Sequence, residues 1–544
     1  MLSLNSFGAN EAVSDGAIAA SGRRSLSVAR VVRQFPLLFL MAIALVPRLY
    51  NLTSPVIGVH SWRQADTAAI ARNFYEMQLA YPGLSNVWRF LYPQVDWGGG
   101  GYAETEFPLY PAVASWVYRL LGEQIACARF VTVLFSLLGL YFLYRLIALC
   151  FDRSVAFWSA LFYALLPLSV FYGRTVQPES LVMMSTLGGL YFFKRWTVRE
   201  SWRDLAGSWV FSAIALLTKV LPLIYLGIPL LFLAVVKYRG RVFRRWELWV
   251  YAIALLAVTF AWYYHARQIY LDTGLTFGFW SDDTDRYSWT DLLSLQYWLD
   301  ILLRLVVRHY AIFGFLMVLV GLTYRRRKLE DYLWEVGLVS SLLANALAPT
   351  SSYIHEYYQL PLMLYGLVFV GKVFGQTFSL DAKTKDVQTF SSPAFVRWAS
   401  RPFVLKTVLV LSFLAGSIIY GIDYMQPERL QASEVYQLAQ QIAVETPPDA
   451  KVLATTGGDP TLLYLSHRKG WLAHPEDISP ESVASAKLEG ADFLVGSYEI
   501  VQSYAPFEDE SQKETIRQIL AQFAAESCQP AINNSQVFVS AICP

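Results

Sequence analysis

Long apolar runs separated by short polar connections dominate this chain. The runs fall near 35–50, 124–149, 154–173, 179–195, 206–220, 221–237, 246–264, 305–324, 331–348, 357–374 and 403–421. A helix of ~20 apolar residues crosses the ~30 Å hydrocarbon layer of a bilayer, so the pattern predicts about eleven membrane spans. After 421 the pattern changes. "KVLATT", "KGWLA" and "DFLVGSY" read as short strands, and "SPESVASAKLEG" between them reads as a capped helix. The expected organisation is a polar N-terminal segment (1–34), an all-α polytopic membrane domain (35–421) and a small α/β domain (422–544).

Composition agrees with that class. Of the 544 residues 55% are hydrophobic and only 16% charged, and mean hydropathy is +0.36, a balance rare in large soluble proteins. The formal net charge of +2 gives no reason to expect a nucleic-acid partner. Four cysteines are too few for a disulfide scaffold. Cys127 and Cys150 read as packing residues, whereas Cys528 and Cys543 would suit a bridge if the tail is exported.

Where the charges sit says more than their sum. With the N-terminus inside, alternate connections should be basic. They are: Arg145 with Arg153, "KRWTVRESWR" at 194–203, "KYRGRVFRR" at 237–245, "YRRRK" at 324–328 and the 375–401 loop. Residues 1–34 are then cytoplasmic. The opposite side holds a long loop over 51–122, a second near 265–304, and the tail.

In the first of these loops, "GVHSWRQADTAAIARNFYE" (58–76) crowds His60, Arg63, Asp66, Arg72 and Glu76 together. Ser61 and Gln64 form a capping-box pattern that predicts a helix start. Asp66 and Asn73 share one face, while Ile70, Phe74 and Met77 make an apolar stripe suited to lying on the membrane surface. An ordinary amphipathic connector would show the same pattern. Further charges gather at the same outer edge: Glu104 and Glu106 after "GGGG", Arg174 and Glu179, Lys219, Arg304, Arg308 and His309, and His355 with Glu356. Charge at membrane depth costs free energy unless it pairs or lines a wet cavity. A basic cavity with carboxylates beside lipid suits a lipid-linked phosphate substrate. No Walker loop, HExxH pair, CxxC pair or GxSxG elbow supports NTP hydrolysis, metalloproteolysis or serine hydrolysis.

Five segments, in order, resemble the GT-C superfamily of integral-membrane glycosyltransferases, on the branch of protein O-mannosyltransferases and the lipid A aminoarabinose transferase. They are "HSWRQADTAAIARNF", "TEFPLYPAVASWVYRLLG", "GRTVQPESLVMM", "LLTKVLPLI" and "HEYYQLPLMLYGLVFVG", and the likeness covers roughly 35–375. Where the family has an Asp-Glu pair this chain has Arg63 and Gln64, so the acid role passes to Asp66, with Glu104 and Glu106 as rivals.

The resemblance implies a GT-C fold and transfer of a sugar from a polyprenyl-phosphate-linked donor to an acceptor hydroxyl, with inversion, at the outer face of a bacterial plasma membrane. Asp66 would be the base, oriented by Arg63. Lys219 and Arg174 would neutralise the phosphate, helped by His355 or Arg308. Glu179 would position sugar or base, or help hold a divalent cation. His60, Glu104, Glu106 and Glu356 complete the expected substrate-binding set. The sugar, the acceptor (protein, lipid or polysaccharide) and the use of Mg or Mn stay open. So do two other readings, a transporter or flippase of lipid-linked saccharide and a ligase or polymerase acting on undecaprenyl carriers.

Overall fold

The computed structural model describes residues 34–280, 289–377, 403–426, 434–497, 530–533 and 537–542. Cys528 and Cys543, and the four arginines of the N-terminal segment, lie outside the described residues, as does most of the 375–401 loop. Every apolar run predicted above is helical where described, because these runs carry the apolar residues that one continuous core requires. That core reaches from Leu40 to Phe413.

The predicted count of eleven spans is not reached by length and composition. Among the described residues four helices qualify: Ile125–Cys150, Pro222–Arg244, Trp246–Thr273 and Glu356–Gln376. A fifth span is formed if Leu295–His309 and Phe313–Leu322, bent by 108°, count as one. The shortfall has a physical origin. Some runs are short, such as Pro36–Arg48, and the 154–173 run is divided between Arg153–Leu165 and Pro167–Tyr172 by an extended Leu166. Proline lacks the N–H that would continue the ladder. The 108° bend follows a π-helical turn, Leu305–His309, and Ala311 and Ile312 both hold positive φ. Close helix contact elsewhere relies on small residues: at Gly371 any Cβ would strike Ser159 and the Val155 carbonyl.

Several basic connections meet at one end of the helices. Lys194 pairs with Glu330, Arg195 with Asp204 at 3.1 Å, and Glu200 with Lys237 and Arg245 at 3.8 and 3.9 Å.

The predicted strands of the tail are present. β1 (Lys451–Ala454), β2 (Lys469–Leu472), β3 (Phe493–Ser497), β4 (Pro530–Asn533) and β5 (Val537–Ala541) form one sheet in the order β2-β1-β3-β5-β4. β2 and β3 run parallel to β1, and β5 pairs antiparallel to β3 and β4. Strand side chains alternate between faces. Val452, Val495 and Val539 pack under the Glu434–Glu445 helix side, while Leu453, Leu494 and Phe538 face Ala486 of the Pro480–Leu488 helix.

The sheet is tied to the first long loop by backbone bonds. Gly99 N donates to the Gly470 carbonyl at 2.8 Å, and Gly470 N donates to the Asp96 carbonyl at 2.9 Å. Gly99 holds φ +70, and a Cβ there would sit 3.0 Å from the Trp471 ring. Glycine is what lets the loop lie flat against the β2 edge.

Candidate active site

The site is built around the predicted helix, Ser61–Ala80. Its start differs from the expected capping box. His60 is the N-cap, in the left-handed region at φ 54, and no side chain caps the helix. The apolar stripe does not lie on a membrane either. Ile70 and Phe74 are buried against Val95 and Ala103 of the same loop, so the helix is clamped between loop and protein.

Two ion pairs and two narrow cavities form the centre. Arg63 donates to both oxygens of Glu106, at 2.5 and 2.6 Å. Lys219 donates to Glu179 at 2.7 Å. It also lies 4.3 Å from the centre of the Tyr357 ring and 5.2 Å from that of Tyr358, a cation–π arrangement. Arg63 and Glu106 line one cavity, with Thr67, Pro178 and Thr218. Glu179 and Lys219 line the next, with Tyr225, Tyr357 and Tyr358. Local structure explains these positions. Lys219 is the C-cap of Trp202–Thr218, where the carbonyl end of the helix dipole favours a cation. Glu179 opens Glu179–Arg199, where the N–H end favours an anion.

A third pair flanks them. Arg308, beside the bend, donates to the buried Glu356 at 2.7 Å, and Tyr172 Oη donates to the same carboxylate at 3.3 Å. Arg304 caps the Tyr353 carbonyl at 2.6 Å. His60 and His355 meet edge to face at 5.7 Å. Burial, with Lys219, Arg304 and other neighbouring cations, lowers His60 to about 4 and His355 to about 3. Both rings are therefore neutral at pH 7, so His355 can donate a hydrogen bond but supplies no positive charge. Four cations (Arg63, Lys219, Arg304, Arg308) face three paired carboxylates (Glu106, Glu179, Glu356).

The carboxylates of the first loop are treated differently. Burial would raise Glu106, but the charge of Arg63, with Lys219 behind it, holds the carboxyl below its usual range. Asp66 accepts from Trp97 Nε1 at 2.9 Å. Burial pushes Asp66 up to about 7, with Asp459 and Asp96 pushing the same way and the Trp97 bond and Arg63 opposing. Asp66 lines neither cavity. It faces the Trp97 loop and the segment after β1, one helical turn from Arg63. Glu104 is buried and ties down the second loop, accepting from Thr276 Oγ1 and, at 3.4 Å, from Phe279 N. Arg174 is fully buried and lines neither cavity. The structure thus brings Arg63, Glu106, Glu179 and Lys219 together, with His60, His355, Arg308 and Glu356 alongside. It sets Glu104 and Arg174 back as supports.

Sequence reasoning did not single out Trp97, Asp459, Tyr172, Tyr357 or Tyr358. The tyrosines stood in a quoted motif, "HEYYQLP", and their place beside a lysine was the available signal. Among the described residues no group of three or more His, Cys, Asp or Glu side chains is placed to hold a metal ion.

This arrangement can bind an anion between aromatic walls and hold carboxylates in two protonation regimes. Comparisons agree with the fold it sits in. The family described as dolichyl-phosphate-mannose-protein mannosyltransferase matches residues 105–264, which include the "TEFPLYP", "GRTVQPES" and "LLTKVLP" segments. ArnT from Cupriavidus metallidurans in the apo state is similar at 15% identity and TM-score 0.63, over 93% of this chain and 98% of that one. The same protein bound to undecaprenyl phosphate gives 15% and 0.61, over 93% and 99%. The archaeal oligosaccharyltransferase AglB from Archaeoglobus fulgidus, in complex with an inhibitory peptide and a dolichol-phosphate, gives 13% and 0.52, over 86% and 70%. No curated protein matches the sequence. The matched segment and the shared fold place this membrane protein in the GT-C glycosyltransferase superfamily.

Proposed function

We propose that the chain transfers a sugar from a polyprenyl-phosphate-linked donor to an acceptor hydroxyl, with inversion, at the outer face of a bacterial plasma membrane. The observation that carries this reading is the pair of adjacent cavities divided by the Lys219–Glu179 ion pair, with Arg63–Glu106 next to it. A phosphate leaving group needs counter-charge rather than a proton, and preorganised cations provide it. Lys219 is the principal one, with Arg63 and Arg308 beside it and Arg174 behind the turn. The undecaprenyl phosphate bound by the ArnT relative supports a carrier of that kind.

The acceptor hydroxyl needs a base. Glu106 is locked to Arg63 and weakly basic, whereas Asp66, at about 7, is matched to proton abstraction at neutral pH. We therefore assign Asp66 as base and Glu179 as the group that positions Lys219 and the sugar. The basic connections gathered at the opposite end fit a cytoplasmic face, and the sheet domain would then be exported.

The test is transfer by purified protein from a panel of radiolabelled polyprenyl-phosphate sugars. Asp66→Asn is expected to keep donor binding and lose turnover. Full activity in Asp66→Asn with loss in Glu106→Gln would move the base to Glu106. Movement of labelled lipid across the bilayer without transfer would replace the enzyme with a transporter.

A further inference from the structure

About 18 Å along the same helix from Asp66, at 1.5 Å per residue, lies a cavity separate from the ion-pair centre. Its volume is about 200 Å³, and its walls include Gln78, Tyr81, Asn86, Phe90, Trp116 and Arg119. They come from the end of Ser61–Ala80, the turn helix Leu84–Leu91 and the helix Leu109–Leu121. We propose that this cavity is a saccharide subsite holding one sugar unit of the acceptor. The acceptor role rests on the transferase reading above.

The argument starts from Gln78, which is 5% exposed. Its Nε2 donates to Ser115 Oγ at 2.9 Å and to the Phe74 carbonyl at 3.2 Å. Those two acceptors fix which end of the amide is nitrogen, and Oε1 is left buried with no hydrogen-bond partner. A buried acceptor left unpaired is costly, so the natural occupant brings a donor. Asn86, whose Nδ2 donates to the Tyr81 carbonyl at 3.4 Å, leaves its oxygen as a second acceptor. Arg119, over the Trp116 ring at 5.8 Å, supplies donors from the opposite side. Phe90 and Trp116 stack at 6.5 Å and 27°, and the half-exposed Trp116 and Tyr81 present flat apolar faces.

Each simpler ligand leaves something unmet. A phosphate would satisfy Arg119 but has no hydrogen for Gln78. An ammonium would satisfy Gln78 and be repelled by Arg119. An acyl chain would leave both polar groups dry. A sugar ring carries hydroxyls that both donate and accept, and C–H faces that pack on aromatic rings, in keeping with pockets of apolar walls and a few convergent polar groups. The exposed Leu79, Trp88, Leu120 and Leu121 around it set this subsite at a lipid surface. The sugar therefore comes either from a glycolipid or from a soluble glycan.

The experiment uses full-length protein in phosphatidylcholine nanodiscs with no donor present. Binding of mannobiose and maltose is read by saturation-transfer NMR and tryptophan fluorescence. A second set of discs contains digalactosyl diacylglycerol, and a third phosphatidylglycerol. Binding of either saccharide source, weakened at least tenfold by Trp116→Ala and by Asn86→Ala, is the expected result. The disaccharide arm would indicate a soluble glycan and the glycolipid arm a membrane-borne one. Saccharide binding that ignores both substitutions, no saccharide binding at all, or a response to phosphatidylglycerol alone would overturn the subsite. Because no donor is present, loss of the transferase reading with saccharide binding intact is distinguishable from the reverse.

Discussion

Removing the charge of Lys219 is the most direct probe of the centre. The ammonium sits 2.7 Å from Glu179, with side-chain exposures of 12% and 3%. At an effective dielectric constant of ~20, two unit charges at that 2.7 Å separation attract by about 6 kcal/mol. Desolvation offsets part of this, and breaking a buried pair from one side typically costs about 3–5 kcal/mol. Lys219→Met should therefore lower unfolding stability in detergent by about 3–5 kcal/mol, because Glu179 stays buried and uncompensated. Glu179→Gln should cost less, since a lysine at a helix end can swing toward water. In the double variant Lys219→Met/Glu179→Gln neither charge remains, so stability should largely return. Transfer should not, because a lost cation at a developing phosphate charge is expected to cost roughly 10²–10³ in kcat. The assay is denaturant unfolding followed by tryptophan fluorescence, paired with single-turnover transfer. A double variant that regains both stability and turnover would refute the reasoning and leave the pair a structural strut.

Three further outcomes are expected. Asp66 sits at about 7 in the folded chain against ~3.9 for a free aspartate. The folded state holds the proton more tightly, so this contribution to stability is full below pH ~4 and lost as pH rises to about 7. The change is of order 4 kcal/mol at most, and stability curves for parent and Asp66→Asn that run parallel from pH 4 to 8 would contradict it. Glu104→Ala frees Thr276 and Phe279 and should cost about 1–3 kcal/mol, read as faster amide exchange in residues 275–280. Gly99→Ala forces a Cβ into the left-handed region beside Trp471, at about 1–2 kcal/mol. Amide exchange at Gly99 and along β2 should speed up, while the spans stay unaffected.

The sequence displayed its helices because membrane burial writes itself into apolar runs. Three of the five strands were likewise visible, each as a short alternating segment. The span count was not, since Leu166 and the residues at 311–312 break runs in ways composition does not register. The charges of the centre were legible as a group, for a charge beside a span has few bland explanations. Their partners were not. Arg63 finds Glu106 forty-three positions away, and nothing local to either residue announces the other. Asp66 was legible as an acid but not as one facing Trp97 and Asp459, because which side of a helix meets a distant domain is decided by tertiary packing. Glu104 and Glu106, two residues apart in an extended segment, point to different neighbours as strand-like alternation requires. Sequence alone gave no ground for preferring either.

Arg72 donates to the Tyr464 carbonyl at 3.0 Å, across 392 positions of chain, while its guanidinium pairs with Asp96 of its own loop. At synthesis rates of ~5–20 residues per second, Tyr464 leaves the ribosome roughly 20–80 s after Arg72. Through that interval the helix bearing Asp66 has its local pairs but neither the sheet that braces it nor the Asp459 that helps raise its carboxyl. The membrane helices are thus inserted around an unfinished centre. The chain's last domain to emerge completes the surroundings of a carboxylate that was among the first residues made.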